Sequence, residues 1–282
     1  MRRVAALAAL TLIAPPAGAH EYWLSPSSYR AHRGDTLAIA AYAGTGFRGE
    51  GKPFARARAV RLVLRSRREF DLAPLAVNGD LTFARWIAED ELGAVAVYES
   101  NFTALELPAA EFDAYLRLEG LDGPLRARQA LGAAAGPGRE RYARCAKTWI
   151  AGRDSARLTG AAGLPLELVP VTGPAASGTA LPGARLAVRV LYRRRPLAGA
   201  LVRSWNRPLG RAAAPLDPAG RDSVGAAGEA RSGPEGIATL AVDRPGEWLL
   251  SVVHMTPSED RAAADWQSLW ASLTFALDAP SR

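Results

Sequence analysis

Histidine is scarce in this chain of 282 residues, which has three: His20, His32 and His254. Two of them stand where an imidazole could do chemistry. His20 follows Ala17-Gly18-Ala19, and upstream lie Arg2-Arg3, the apolar run Val4–Ala14 and the break Pro15-Pro16. That order of charge, apolar run and small residues is the pattern of a secretory signal peptide, so cleavage after Ala19 would make His20 the first residue of an exported protein. A terminal histidine offers its α-amine, with a reference pKa of about 7.7 to 8.0, and its imidazole Nδ1 to one metal ion as a chelate. An internal histidine cannot do this. Signal cleavage constrains the residues before the cut and not the one after it, so a chance placement of His20 stays open.

His254 closes the run Trp248–Met255, where a period of two places it on one face with Trp248, Leu250 and Val252. An imidazole at the end of an apolar strand face is ordinarily a core or rim residue. The next dozen residues are less ordinary: Thr256-Pro257 stops the strand, and Glu259, Asp260 and Asp265 precede Trp266. The acidic loop reads either as solvated surface or as a source of ligands. If His20 lay beside His254, one amine and two imidazole nitrogens would form a T-shaped set that suits Cu²⁺ or Ni²⁺, both at the high-affinity end of the divalent series. The expected metal site is therefore His20 and His254, with Asp260 or Asp265 ligating or orienting a ring. His32, before Arg33-Gly34-Asp35, reads as an exposed turn residue.

Other chemistries find little support. No hydrolase elbow, P-loop, zincin helix or dinucleotide fingerprint is present, and no enzyme is expected. The single cysteine, Cys145, excludes an intramolecular disulfide and a thiolate zinc cluster, and is expected to be buried. The net charge of +7 comes from arginines scattered over turns and strands, the densest being Arg56–Arg68 and Arg193–Arg195, which does not make a nucleic-acid face. Trp248, Trp266 and Trp270 read as packing rather than as a carbohydrate platform. The leader's apolar run of 11 residues falls short of the roughly 20 needed to cross a bilayer, and no later stretch is longer, so a periplasmic protein without a membrane span after processing is expected.

The elements that must position these residues are mostly strands. Between Glu21 and Phe102, short apolar or alternating runs predict strands at Asp35–Tyr42, Ala59–Leu64, Leu81–Ile87 and Ala94–Tyr98, with a hairpin at Asn78-Gly79-Asp80. From Pro108 the period changes: Phe112, Tyr115, Leu116 and Leu118 fall at helical offsets, Pro108 suits a first turn and Gly120 comes after the last. Leu125–Leu131 predicts a second helix, and Arg139–Lys147 is expected to resume helix after Gly136-Pro137-Gly138. From Leu164 the strand pattern returns through Val171, Arg185–Tyr192 and Leu197–Ser204, then a long loop over 206–234, then Gly236–Val242, Gly246–Met255 and Leu269–Leu277. The expectation is a mainly all-β chain. A signal peptide occupies 1–19, a β-sandwich domain with a helical insertion (108–147) occupies 20–163, and an immunoglobulin-like β-sandwich occupies 164–282.

Several segments taken together, HEYWL at the processed start, GDTLAI, ESNFTALEL with FDAYLRLEGL, GRERYARCAKTWI, GLPLELVP and the ending HM…DWQSLWASLTF, resemble a periplasmic family of an uncharacterised domain associated with nickel and cobalt import. The likeness spans nearly the whole processed chain. It implies a secreted protein with a leading histidine and a β domain joined to an immunoglobulin-like one, serving as the substrate-specific component of nickel uptake. His20, Lys147, His254, Asp265 and Trp266 correspond to positions of the family pattern, although Lys147 also reads as the structural partner of a carboxylate. The long loop after Trp205 departs from it. The function expected is a metal-binding accessory protein for nickel or cobalt, with copper as a further candidate, handing its ion to an envelope uptake transporter. A non-catalytic immunoglobulin-like module binding an envelope component is the alternative, and a copper oxidase with a histidine brace is the remote one.

Overall fold

The computed structural model describes residues 21–130, 132, 136–154, 159–172, 181–210 and 225–279. His20, the signal segment and part of the loop after Trp205 lie outside the described residues. In chain order, β1 (Glu21–Pro26), β2 (Thr36–Thr45), β3 (Arg48–Lys52), β4 (Ala59–Arg65), β5 (Glu69–Asp71), β6 (Thr82–Ile87), β7 (Ala94–Ser100) and β8 (Thr103–Leu107) precede helices α1 (Ala109–Leu118) and α2 (Asp122–Ala130). Then come β9 (Gly138–Ile150), β10 (Leu166–Thr172), β11 (Arg185–Tyr192), β12 (Arg195–Pro196), β13 (Leu201–Arg207), β14 (Gly228–Arg231), β15 (Ile237–Ala241), β16 (Gly246–Pro257) and β17 (Trp266–Leu277).

One large sheet runs β14-β13-β16-β17-β9-β7-β4-β5, with β8 also paired to β9. Its centre is a parallel pairing of β17 with β9, from Trp266 opposite Glu140 to Thr274 opposite Thr148. Strands from both halves of the chain therefore belong to one sheet. Two four-stranded sheets cover it: β1-β2-β3 with β6, and β10-β11-β12 with β15. Alternating residues show that they cover opposite faces. Cys145 and Trp149 of β9 and Val95 and Val97 of β7 join the core under β10 and β11. Ala146 and Ile150 of β9 and Ala96 and Tyr98 of β7 join the core under β2 and β6. The all-β sandwich architecture is thus present twice, and the two sandwiches share their middle layer.

The expected helix at Arg139–Lys147 is a correction: this segment is the 13-residue strand β9. Its last eight residues are all buried, because both faces are covered, so the period of two that marks a half-wet strand is absent. The helical insertion is limited to α1 and α2. The loop expected over 206–234 is also shorter, since β13 continues to Arg207 and pairs with β14, whose Gly228–Arg231 lack an apolar period. α1 ends as its sequence predicts. Leu121 N–H donates to Leu116 O at 2.8 Å and Gly120 N–H to Arg117 O at 3.1 Å, with Gly120 at φ +64, a glycine-terminated Schellman cap. Phe112, Tyr115 and Leu116 pack on Val253, Met255, Trp266 and Trp270 of the large sheet. The tryptophans are core residues, as is Cys145.

Lys147 is buried and paired to the buried Glu167 of β10 at 2.6 Å. The Glu167 carboxylate also accepts backbone N–H groups from Ala162, Gly163 and Leu164, at 2.5 to 3.2 Å, and so shapes the loop before its own strand. Removing one partner of such a pair leaves an uncompensated buried charge. Glu167→Ala is expected to cost about 3 to 5 kcal/mol of unfolding free energy. Asp278→Ala, which breaks the half-exposed pair with Arg30, is expected to cost about 0 to 1 kcal/mol. Urea denaturation of the two variants checks the difference.

Candidate functional site

His254 opens into a cavity of about 610 Å³ at one end of the core between β10–β11 and the large sheet. Leu269, its cross-strand partner, and Ala143 and Cys145 of β9 form the floor, and the tip of the β11–β12 hairpin and residues 163–165 form the walls. The imidazole lies edge-on to the Tyr192 ring, with centroids 4.4 Å apart. Burial lowers its pKa, so the ring is neutral at pH 7. The Cys145 thiol on the floor is inert, because burial pushes its pKa up to about 12.

The hairpin tip is strained. Arg193 and Arg194, its two central residues, have φ of 49° and 66°. A two-residue hairpin with both central φ positive is a type I′ turn, which favours Asn-Gly. Holding a bulky L residue there costs on the order of 1 kcal/mol or more. Arg193 is anchored twice, by its N–H to Pro165 O at 2.8 Å and by its guanidinium to Glu259.

The expected acidic ligands are turned elsewhere. Asp265 receives two guanidinium N–H groups of Arg139, each at 3.3 Å, and Asp260 faces Arg141 at 3.9 Å while its carboxylate accepts the Ala263 N–H. The expected grouping of His254 with Asp260 or Asp265 is therefore not formed, because arginines on β9 take both carboxylates. Among the described residues, no three His, Cys, Asp or Glu side chains gather where they could hold a metal ion. His32 is exposed in its turn and faces Asp35.

The first strand lies on the opposite face. Ser272 and Thr274 of β17 donate their hydroxyls to the Tyr22 and Leu24 carbonyls at 2.6 and 2.7 Å, and these residues alternate with Leu269, Ala271 and Leu273, which share His254's side. Glu21, the chain neighbour of His20, is thus across the sheet from His254. There it meets a buried cluster that sequence reasoning missed: Glu119 at the end of α1, Glu140 and Arg144 on β9, and Arg203 on β13. Arg203 bonds Glu119 at 2.9 Å. Arg144 is held over the Tyr142 and Trp270 rings, 4.7 and 5.0 Å from their centroids. Glu140 accepts Tyr115 Oη–H at 3.2 Å and the Ser268 hydroxyl on one oxygen.

Three carboxyls thus face two guanidiniums in a dry interior. The second oxygens of Glu21 and Glu140, both Oε2, are buried with no hydrogen-bond partner among the described residues. Burial, and after it the charge of Glu119, raises the Glu21 pKa to about 8. Burial raises that of Glu140 to about 7, against the hydrogen bonds from Ser268 and Tyr115. A signal was present in the sequence, since Glu140 and Arg144 fall by a period of two on one face with Tyr142, Ala146 and Ile150, but it surfaces only once that segment is known to be a strand. A further cavity of about 460 Å³ on β1's side is lined by Tyr29, Arg207 and Glu247, where Glu247 already accepts from both partners.

These features define a protein of stacked β-sheets, two sandwiches on a common central layer, with the His254 cavity and the buried acidic cluster on opposite faces of that layer. The chain belongs to the family of a domain of unknown function, DUF4198, which matches residues 17–256. No curated protein matches the chain. Among solved structures, the D0-D1 domain of intimin is similar over 91% of this chain and 97% of that one, at 12% identity and a TM-score of 0.20. That likeness is too slight to carry an argument about this protein.

The cluster sets a pH dependence. Both carboxyls keep their protons to a higher pH in the folded state than the roughly 4.3 of an unfolded glutamate, so the unfolded chain binds fewer protons between those limits. Stability of the metal-free protein is expected to be fullest below about pH 4.3 as far as these groups decide it, and to fall as pH rises towards about 8. Glu21→Gln should flatten the upper part of that fall. Chemical denaturation at pH 5 and pH 8 measures it, and a wild-type protein that gains stability between them would contradict buried, uncompensated carboxyls.

Proposed function

We propose that the protein is an exported metal-binding accessory protein that captures a divalent ion, nickel or cobalt in the first place and copper next, for an envelope uptake transporter. The ion is cargo, and its primary ligands are the α-amine and imidazole of a terminal His20. The observation that supports this reading is the buried Glu21 carboxyl, one oxygen of which has no hydrogen-bond partner among the described residues, in a cluster of three carboxyls and two guanidiniums where it holds its proton for want of a cation. Consecutive Cα atoms are about 3.8 Å apart, so a chain beginning at His20 starts within one residue of that carboxyl. A cation bound beside it would take the place of that proton and pair with the carboxylate, which is how buried charge is ordinarily tolerated. The donor set, nitrogens of a terminal histidine with a carboxylate oxygen nearby, suits these ions. His254, Asp260 and Asp265 have no part in this version of the site.

Calorimetric titration of Ni²⁺, Co²⁺ and Cu²⁺ into protein beginning at His20 tests it. One-to-one binding is expected, weakened at least tenfold by a Gly-Ser extension before His20 and measurably by Glu21→Gln, and unchanged by His254→Ala. Equal binding by the native and extended forms, or none, overturns the metal reading and leaves an exported binding module, for which the cavity at His254 speaks.

A further inference from the structure

We infer that the cavity beside His254 binds a small organic carboxylate with an aromatic body, its apolar part against Phe102 and Leu269 and its carboxylate at Arg194. The site is separate from the metal reading and lies on the other face of the sheet. Its volume of about 610 Å³ falls within the roughly 300 to 1,000 Å³ of small-molecule sites. The mouth is apolar although it faces water: Val60 is 61% exposed and Phe102 40% exposed. Two large apolar side chains at the rim of a cavity that continues inward to Leu164 and Leu269 gain by being covered.

The charge around the cavity selects the sign of the ligand. Glu259 is matched by Arg193, and Glu99 faces Arg61. The lining's two arginines and two glutamates balance, but Glu99 is turned to Arg61 outside the lining and Arg194 forms no ion pair among the described residues, which makes Arg194 the lining's one charge without a facing partner. The His254 ring, packed against Tyr192 in the lining, has no hydrogen bond among the described residues, so its polar nitrogens are free for a ligand. The backbone strain has the same direction. A relaxed hairpin would place Asn-Gly where Arg193-Arg194 stand. The left-handed pair instead holds two guanidiniums at the cavity wall, one fastened to Glu259 and one open to a ligand. Strain kept at a binding surface is the arrangement expected where the side chain is worth more to function than to stability.

The test uses the full exported chain and a panel of three probes: 3-phenylpropionate, 4-phenylbutyrate and indole-3-acetate. 3-Phenylpropanol and 3-phenylpropylammonium serve as neutral and cationic controls. At least one carboxylate is expected to bind saturably and one-to-one by calorimetry, shifting the His254 ring resonances in NMR spectra, with the alcohol at least tenfold weaker and the amine weaker still. Arg194→Gly should reduce carboxylate affinity at least tenfold while raising the melting temperature, because glycine relaxes the positive φ. Arg194→Lys should retain part of the affinity. Failure of all three carboxylates to bind, equal affinity for carboxylate and alcohol, or full affinity in the folded Arg194→Gly variant each overturns the inference. The metal titration is unaffected by any of these outcomes.

Discussion

Nine residues of β17, from Trp266 to Thr274, pair in parallel with Glu140 to Thr148 of β9, and each sandwich takes half of its walls from the sheet this pairing creates. Parallel strands are stable where both faces are covered. Here the covers are the β1-β2-β3 sheet and the helices on one side and the β10-β11-β12 sheet on the other. Each residue of β9 therefore serves one of two cores by its parity alone. Cys145, Lys147 and Trp149 belong with β10 and β11, and Ala146 and Ile150 belong with β2 and β6. A slip of one residue would exchange the two sets, placing Lys147 away from Glu167. The register between the two halves is thus specified by a buried ion pair as well as by apolar area.

Buried charge is treated in two ways on the two faces. At Lys147 and Glu167 every demand is met: the carboxylate takes the ammonium and three backbone N–H groups, and the result is a fixed loop. At Glu21, Glu119 and Glu140 the demand is left incomplete among the described residues, with two arginines for three acids and two oxygens without partners. Buried polar atoms are satisfied in the great majority of cases, so an unsatisfied pair in one place calls for a cause. The cation proposed beside Glu21 would supply one.

The two candidate sites share no residue and open on opposite faces. The acidic cluster is roofed by β1, whose carbonyls are tied to the β17 hydroxyls, and it is rigid by construction. The His254 cavity is bounded by loop tips: a strained hairpin, the turn held by Glu167 and the Phe102 corner. Loops carried on a rigid sheet are where recognition usually resides. The two proposals together give the chain an ion at one end of its central layer and an organic anion at the other.

The sequence by itself determined whatever depends on neighbours along the chain. The alternation in Arg185–Tyr192 predicted β11 to the residue. Pro108 and Gly120 bounded α1, and the scarcity of histidine directed attention to His20 and His254. Lys147 was rightly read as the partner of a carboxylate, though the carboxylate could not be named. The tertiary structure alone decided which face each strand presents and to what. β9 looked helical because its burial on both sides erases the strand period, and that one reversal hid Glu140 and Arg144 as members of a cluster. Asp260 and Asp265 looked available because nothing local claims them, whereas Arg139 and Arg141 reach them across a parallel pairing of more than a hundred residues' separation. Local patterns report the period of a single strand. Pairing between distant strands, which sets the charges a side chain meets, leaves no trace in that period.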